Sequence, residues 1–296
     1  MYIKLTHISP LTVGTSAAAR VCLPLSMISS SDDAPESDIS IPPGLFCYRV
    51  HKNCVLLGGA LTDGGSVVEW ARSLINLQST ESFESCLVEV ANMYEKRSCD
   101  DTSEAQLKMI PFLTGERSTG YRDGATGCIS GISRSTTSVD IMSTCLESVV
   151  MRLTCILRLI KSVCLSDSEG KCILIASGSA LERNPLWRQM LADCSSMDVV
   201  IDGNSSAGTS RGVAMLMASF LQQARQGKTF VNKFHSVGPE QLMIKSSTKT
   251  NVNAKKRWGK TMEAQETLIE AVLGPSLFDE HLSKKQRIEE QPNQNI

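Results

Sequence analysis

The sequence predicts an α/β fold in which a mixed sheet is flanked by helices. One observation is a pair of apolar runs, 45–50 and 54–57, whose polar break at 51–53 is typical of an antiparallel hairpin. Another is the succession of a strand, a glycine loop, a helix and a second strand between residues 171 and 201. That order forms a βαβ unit, whose two strands run parallel. Antiparallel and parallel pairs together indicate a mixed sheet.

The amino-terminal part begins with two short strands within residues 11–24, joined by a tight turn at 14–16. Residues 29–43 are polar and rich in serine and proline, which predicts a loop that tolerates disorder. A helix is expected after the hairpin and a glycine pair. Ser66 and Glu69 have the spacing of a capping box at its start, and the apolar residues that follow share one helical face.

The carboxy-terminal part alternates helices and strands. The predicted elements are helix Thr137–Val163, strand Lys171–Ala176, a helix from Pro185, strand Val199–Ile201, helix Thr209–Gln226 and helix Glu263–Leu273. Asn184 before Pro185 is a strong helix start, because asparagine caps first-turn amides and proline suits the first helical position. The basic runs 255–260 and 284–287 are interpreted as a solvated tail rather than as nuclear-import signals.

Composition excludes several classes of protein. A chain of 296 residues with 42% hydrophobic content can bury one large core or two small ones. Its 30 basic and 31 acidic residues nearly cancel, so no bulk charge recruits nucleic acid or a membrane surface. Eleven scattered cysteines without a C-x-x-C pair indicate reduced thiols in a cytoplasmic protein. The four histidines lack ligand spacing, so no metal site is expected.

Three features are candidates for chemistry, each with an ordinary alternative. The turn at 14–16 offers a glycine, amides and two hydroxyls to a phosphate, but many hairpin turns have the same composition. Gly178 stands where a buried strand meets a helix, a usual place for nucleotide phosphates, or it is a loop glycine chosen for its backbone angles. Trp187 either stacks on a base or, as its register with Leu186 and Met190 favours, belongs to the core.

The segment Pro111–Ile132, PFLTGERSTGYRDGATGCISGI, is the most informative stretch of the chain. It places five glycines, a Gly-Glu-Arg triplet and Tyr121-Arg122-Asp123 between apolar residues. Glu116 and Arg117 either brace this loop or touch a ligand. Because adjacent residues do not face one another in regular structure, each is expected to have its own partner, and a structural role is favoured.

The order of five blocks is more specific than any one of them. This segment resembles the G-E-R-S-x-x-W/Y-x-x-x-A-x-G-x-x-x-G element in the second, nucleotide-binding domain of the FGGY carbohydrate kinases. Between Leu11 and Ala218 the successive blocks that resemble this domain are LTVGTSAAAR, LLGGALTDGG, FLTGERSTGYRDGATGCISGI, ILIASGSALERNPLWRQMLAD and AGTSRGVAMLMA. Their style is closest to the gluconate and xylulose kinase branch. The resemblance implies a ribonuclease-H-like (actin/hexokinase-type) ATPase domain over residues 1–275, followed by a polar flexible tail at 276–296.

The resemblance also implies an ATP site with Mg²⁺ carried on the nucleotide. By their positions in the family's blocks, the residues implied at the terminal phosphates are Gly14, Thr15 and Ser16. Gly127 of the A-x-G block is implied near the nucleotide, and the block after the buried strand implies Gly178, Ser179 and Ala180. Ser179 departs from the family pattern, which has a second glycine there. A side chain at that position is expected to crowd the nucleotide or to require a different backbone angle.

The family's first domain has no counterpart in the blocks found. That domain carries a D-x-G-T phosphate loop, the sugar-binding residues and the aspartate that acts as general base, whereas the thirteen residues before Gly14 include no Asp or Glu. No catalytic residue is therefore assigned. The implied function is an ATP-dependent kinase acting on an alcohol group of a sugar or sugar acid, inactive as this chain alone. The sugar acceptor is expected to bind only if the first domain is supplied. The alternative is a stand-alone, non-catalytic module that binds ATP or another protein.

Overall fold

The computed structural model describes residues 7–28, 41–51, 54–99, 107–164, 172–203, 208–226 and 244–276. The strands of these ranges are β1 (His7–Val13), β2 (Ala17–Pro24), β3 (Phe46–His51), β4 (Cys54–Leu61), β5 (Lys108–Ile110), β6 (Cys128–Ser130), β7 (Cys172–Ser177), β8 (Asp198–Asp202) and β9 (Ile244–Thr248). The helices are α1 (Gly65–Leu74), α2 (Thr80–Cys99), α3 (Ser138–Cys164), α4 (Ser179–Arg183), α5 (Pro185–Ser195), α6 (Gly208–Arg225) and α7 (Lys255–Leu273).

Seven strands form one mixed sheet in the order β3-β4-β2-β1-β7-β8-β9. The pairs β3–β4, β4–β2 and β2–β1 are antiparallel, whereas β1–β7 and β7–β8 are parallel. β9 returns antiparallel to β8 at one edge. β5 and β6 make a separate two-stranded sheet. The predicted mixed sheet is therefore confirmed, including both of its expected hairpins.

Helix α3 lies at the centre of the core. It packs against α1, α2 and α5 and against strands β2 and β4. Ile156 of α3 is fully buried, and its side chain covers the backbone of Gly59 in β4 so closely that a Cβ at residue 59 would lie 2.8 Å from it. Trp187 also lies in the core: it is buried, and its Nε1 donates a hydrogen bond to the Leu146 carbonyl oxygen at 3.0 Å. The core interpretation of Trp187 is confirmed.

The cysteines whose side chains are described are free thiols. Burial raises the pKa of Cys145 and of Cys194 to about 12, so these thiols stay protonated and unreactive near neutral pH. They serve as small apolar residues of the core, which agrees with the interpretation of the sequence. Within the described ranges no helix combines the length and the apolar character needed to cross a bilayer.

Two expectations about residues 255–273 were wrong, the start of the last helix and the interpretation of the basic run as a tail. α7 begins at Lys255 rather than Glu263, because Arg257 and Trp258 are buried: Arg257 pairs with Glu147 at 2.5 Å, and Trp258 Nε1 donates to the Tyr94 hydroxyl at 3.0 Å. The basic run 255–260 is thus part of a packed helix and not of a tail. The structure also contains α2 and β9, which the sequence patterns did not indicate. Residues 29–40 and 277–296, from the predicted loop and tail, lie outside the described ranges.

Truncation of Ile156 tests the central position of α3. Ile156→Ala should lower the free energy of unfolding by about 2–5 kcal/mol, because the removed methyl groups leave a cavity beneath β4. Urea denaturation measures the change. Val88→Ala, on the exposed side of α2, is the matched control and should stay within about 0.5 kcal/mol of the wild type. Equal effects of the two substitutions would contradict this description of the core.

Candidate functional site

The β1–β2 turn at residues 14–16 is held by the start of α1. Gly65 N donates to Gly14 O at 2.7 Å, and the Gly64 and Ser66 amides donate to Thr15 O at 2.8 and 3.1 Å. The carbonyl oxygens of the turn therefore satisfy the first amides of α1, which would otherwise lack partners. The side chains of Thr15 and Ser16 are exposed. The turn thus exposes two hydroxyl side chains, while the carbonyl oxygens of Gly14 and Thr15 accept amides at the start of α1.

The predicted capping box at Ser66 and Glu69 was wrong. The N-cap residue of α1 is Gly64, which makes no side-chain cap, and Ser66 lies inside the first turn. Its hydroxyl donates to Asp63 Oδ1 at 2.9 Å, while Glu69 forms an exposed ion pair with Arg72. The amides that a capping serine would bind donate instead to backbone carbonyl oxygens of the 14–16 turn.

Gly178 follows β7 directly and lies beside β1. Its φ is +96°, and a Cβ at this position would lie 2.2 Å from the Val13 carbonyl oxygen. One residue earlier in each strand, the hydroxyls of Thr12 and Ser177 are hydrogen-bonded at 2.8 Å. Since β1 and β7 are parallel, their carboxyl ends meet at the same edge of the sheet. Both the backbone angle and the close approach to Val13 require glycine at this position.

Ser179 and Ala180 open the short helix α4. Ser179 is exposed and is absent from the positive-φ residues, so the backbone there accepts an L-amino acid without strain. Whether this side chain crowds the nucleotide, or its backbone angle differs from that of the family's glycine, stays a prediction. A Cβ added to Gly65 would lie 3.8 Å from Ala180 Cβ, which places the start of α4 near the start of α1. Six predicted residues thus meet at one edge of the sheet: Gly14, Thr15, Ser16, Gly178, Ser179 and Ala180.

Gly127 lies elsewhere, one residue before β6. It is exposed, and the nearest atoms to a Cβ built there belong to Leu113, Ile110 and Phe112. These neighbours follow or form β5, so Gly127 is positioned by the small sheet. The structure does not bring it into contact with the six residues at the edge of the large sheet. Its part in the ATP site stays a prediction.

Glu116 braces the loop between β5 and β6. Its carboxylate is buried and accepts hydrogen bonds from Gly120 N at 3.0 Å, Arg122 Nη1 at 2.6 Å and Arg152 Nη2 at 3.0 Å. Arg117, by contrast, is exposed. The two adjacent residues do not pair with each other, and the structural interpretation of Glu116 is confirmed.

Asp63 is a residue of this site that sequence reasoning missed. It lies between β4 and α1, is 6% exposed, and accepts from Ser66 as well as from Thr114 N and Oγ1 at 2.8 and 2.9 Å. The available signal was its position in LLGGALTDGG, where an acidic residue separates a buried strand from a glycine pair. Across the described residues, no three His, Cys, Asp or Glu side chains are grouped so as to hold a metal ion.

Comparison with known proteins decides the family. A model described as the FGGY family of carbohydrate kinases, C-terminal domain, matches residues 13–220. The chain belongs to the FGGY family. A gluconokinase from Bacillus licheniformis is 26% identical over 191 residues, which are 64% of this chain and 34% of the gluconokinase. The chain therefore spans about a third of the length of this FGGY relative.

Solved structures of FGGY-type kinases share the fold. A gluconate kinase and a ligand-bound xylulose kinase from Lactobacillus acidophilus superpose with TM-scores of 0.65 and 0.66, each at 22% identity over 90% of this chain and 48% of theirs. A Plasmodium falciparum glycerol kinase with ADP gives a TM-score of 0.60 at 16% identity, over 90% of this chain and 48% of the kinase. The fold is the ribonuclease-H-like, actin/hexokinase-type ATPase fold predicted from the sequence, and the chain spans about half of these structures.

Substitutions at 178 and 179 should separate a required glycine from a permissive position. Gly178→Ala is expected to lower the free energy of unfolding by about 1–3 kcal/mol, because a Cβ there collides with Val13 and the positive φ is strained. Ser179→Gly should change it by no more than about 0.5 kcal/mol. Chemical denaturation of both variants provides the measurement. Wild-type stability in Gly178→Ala would show that the carboxyl ends of β1 and β7 are not as close as described.

Proposed function

We propose that this chain is the nucleotide-binding half of an ATP-dependent carbohydrate kinase. In this proposal it binds ATP with Mg²⁺ and, together with a domain like the first domain of the family, transfers a phosphoryl group to an alcohol of a sugar or sugar acid. Membership of the FGGY family supports the reaction class. The six residues gathered at the carboxyl edge of β1 and β7 are the proposed phosphate contacts, and Gly127 is a further proposed contact from the neighbouring loop.

The observation that carries the proposal is the meeting of the 14–16 turn with Gly178. Phosphate oxygens need hydrogen-bond donors and a backbone that permits close approach. The exposed Thr15 and Ser16 side chains supply hydroxyl donors, and Gly178 packs against Val13, the residue that precedes the turn. The carboxyl edge of parallel strands is also where ligands generally bind in α/β sheets.

Mg²⁺ is proposed to bind through the phosphates of the nucleotide rather than through a set of protein ligands. The buried carboxylate that borders α1, Asp63, already accepts three hydrogen bonds from Ser66 and Thr114. Its oxygens are thus engaged by protein donors. Mg²⁺ commonly binds through substrate phosphates and waters with few protein ligands, so this arrangement fits a nucleotide-borne ion.

The acceptor is proposed to be a sugar or a sugar acid, and the compartment the cytoplasm. The gluconokinase relative supports the sugar-acid class, and the protonated core thiols are consistent with a reducing compartment.

Phosphoryl transfer depends on holding the acceptor in line and on a base that takes its proton. Without a base the rate falls about 10²–10⁴-fold, and losing the alignment of the acceptor forfeits on the order of 7–11 kcal/mol.

Nucleotide binding is testable by thermal denaturation. Saturating MgATP should raise the melting temperature, since a ligand at 100 times its Kd adds about 2.7 kcal/mol. Thr15→Glu should weaken this binding about tenfold or more, because a like charge ~4 Å from a phosphate near a protein surface costs more than ~1.4 kcal/mol. Ser247→Glu is the matched control: it adds the same charge at an exposed position of β9, three strands from β1, and should bind MgATP as the wild type does.

The alternative of a non-catalytic module makes a different prediction about turnover. We expect the purified 296-residue chain to release ADP no faster with gluconate or xylulose than without them. Addition of a first domain from a related kinase should restore sugar-dependent release if the chain is half of an enzyme. Continued binding without any restored turnover would favour the stand-alone module, and sugar-dependent release by the chain alone would contradict the assignment of no catalytic residue.

A further inference from the structure

Asp63 connects the loop between β5 and β6 to the start of α1. Its Oδ2 accepts both the backbone N and the hydroxyl of Thr114, at 2.8 and 2.9 Å, and its Oδ1 accepts the Ser66 hydroxyl at 2.9 Å. Thr114 lies near the start of the loop between β5 and β6, which ends at Gly127. Ser66 belongs to the first turn of α1. One buried carboxylate thus joins the loop to the helix.

The series of hydrogen bonds continues from α1 to the turn at 14–16. The Ser66 amide donates to Thr15 O at 3.1 Å, and the Gly64 amide donates to the same oxygen at 2.8 Å. Contacts therefore run from Thr114 through Asp63 and Ser66 to Thr15. Every link is a hydrogen bond within ordinary N–H···O or O–H···O distances.

Other bonds of the loop lead to different elements, among them the bond from Arg122 Nη2 to Gly274 O at the end of α7, at 3.0 Å. Ser118 exchanges hydrogen bonds with Ala60 of β4, and Glu116 pairs with Arg152 of α3. The Ser118 bonds reach the turn by way of the pairing of β4 with β2. The bonds of Asp63 link the loop to α1, the helix whose first amides hold the turn.

The chemistry of Asp63 suits this task. An ionised carboxylate has acceptor sites on both oxygens and no donor, so it can receive three donors at once. Asparagine at this position would lose the charge, and its NH₂ group would either oppose the Thr114 N–H or face the Ser66 hydroxyl, which must then turn to accept. Hydrogen bonds to charged groups contribute more than neutral ones, so the carboxylate holds both partners firmly.

We propose that Asp63 is a positioning residue of the nucleotide site. It fixes the loop that ends at Gly127 relative to the turn at 14–16, so that Gly127 and Thr15 contact the same nucleotide. This inference rests on the proposed ATP-binding function. It assigns to Asp63 a part in affinity for MgATP that does not involve touching the nucleotide.

The experiment compares two buried carboxylates in the full 296-residue chain. Asp63→Asn should raise the Kd for MgATP about tenfold, measured by isothermal titration well below the melting temperature. Asp193→Asn is the matched control: Asp193 is 1% exposed and accepts from Tyr94, Gln189 and Asn251 in a cluster that includes α5 and α2. It should lower the melting temperature as much or more, yet leave the Kd within twofold of the wild type.

A second pair of variants keeps the test decisive if Asp63→Asn folds poorly. Thr114→Val removes the hydroxyl but keeps the backbone N–H, and it should raise the Kd several-fold. Thr114→Ser keeps the hydroxyl and should bind like the wild type. A purely structural role would lower melting temperatures without this split in affinity, and an unchanged Kd in both Asp63→Asn and Thr114→Val would overturn the proposal.

Failure of the proposed function would be visible separately. If the wild type does not bind MgATP, the ATP site itself is wrong, and the affinity role of Asp63 with it. Hydrogen exchange of the ligand-free chain then still tests whether Asp63 fixes α1 against the turn. The amides of Gly64, Gly65 and Ser66 should exchange faster in Asp63→Asn than in the wild type or in Asp193→Asn. Unchanged exchange at these amides would show that Asp63 does not fix α1 against the turn.

Discussion

The parallel pairing of β1 with β7 is the constraint on which the rest of the structure depends. β1 bonds to β2 on one side and to β7 on the other, so it joins the antiparallel hairpins to the βαβ half of the sheet. Leu11 and Ala176 stand opposite each other in this pair, and both are fully buried. A slip of one residue would turn these side chains out of the core, so burial fixes the register. The same register delivers the 14–16 turn and Gly178 to one edge, where the proposed site lies.

A second constraint is the charge buried where the β5–β6 loop, α3 and α7 meet. The Glu116 side chain is fully buried and the Arg152 side chain is 1% exposed, so both ions have lost their hydration. Arg152 is also paired with Glu266 of α7 at 2.5 Å, and Arg122 shares Glu116. Attraction between such groups roughly offsets the cost of desolvating them, whereas a single partner left alone is costly. The network therefore acts chiefly to fix where the loop, α3 and α7 meet.

Local signals predicted much of this fold and only part of the site. The Asn184-Pro185 start of α5 was predictable because the cap is local: the Asn184 side chain accepts from Trp187 N, three residues away. The start of α1 was not, since its amides bond to carbonyls about fifty residues earlier. β9 escaped prediction because an exposed edge strand such as Ile244–Thr248 needs no apolar alternation. Asp63 was missed because its partner Thr114 is remote in sequence. Gly14 and Gly178 were candidates on local grounds, and the family resemblance then implied their place in an ATP site.

The way α1 is capped has a consequence for how the chain folds. A helix of ten residues has little stability of its own, and its nucleation is costly. Here the groups that complete its first turn come from Gly14 and Thr15, so they are present only once the β1–β2 hairpin has closed and β4 has paired with β2. Closing such a span costs chain entropy before any contact is gained. The first turn of α1 and the turn at 14–16 should therefore form together, as one late and cooperative event in the assembly of the amino-terminal half.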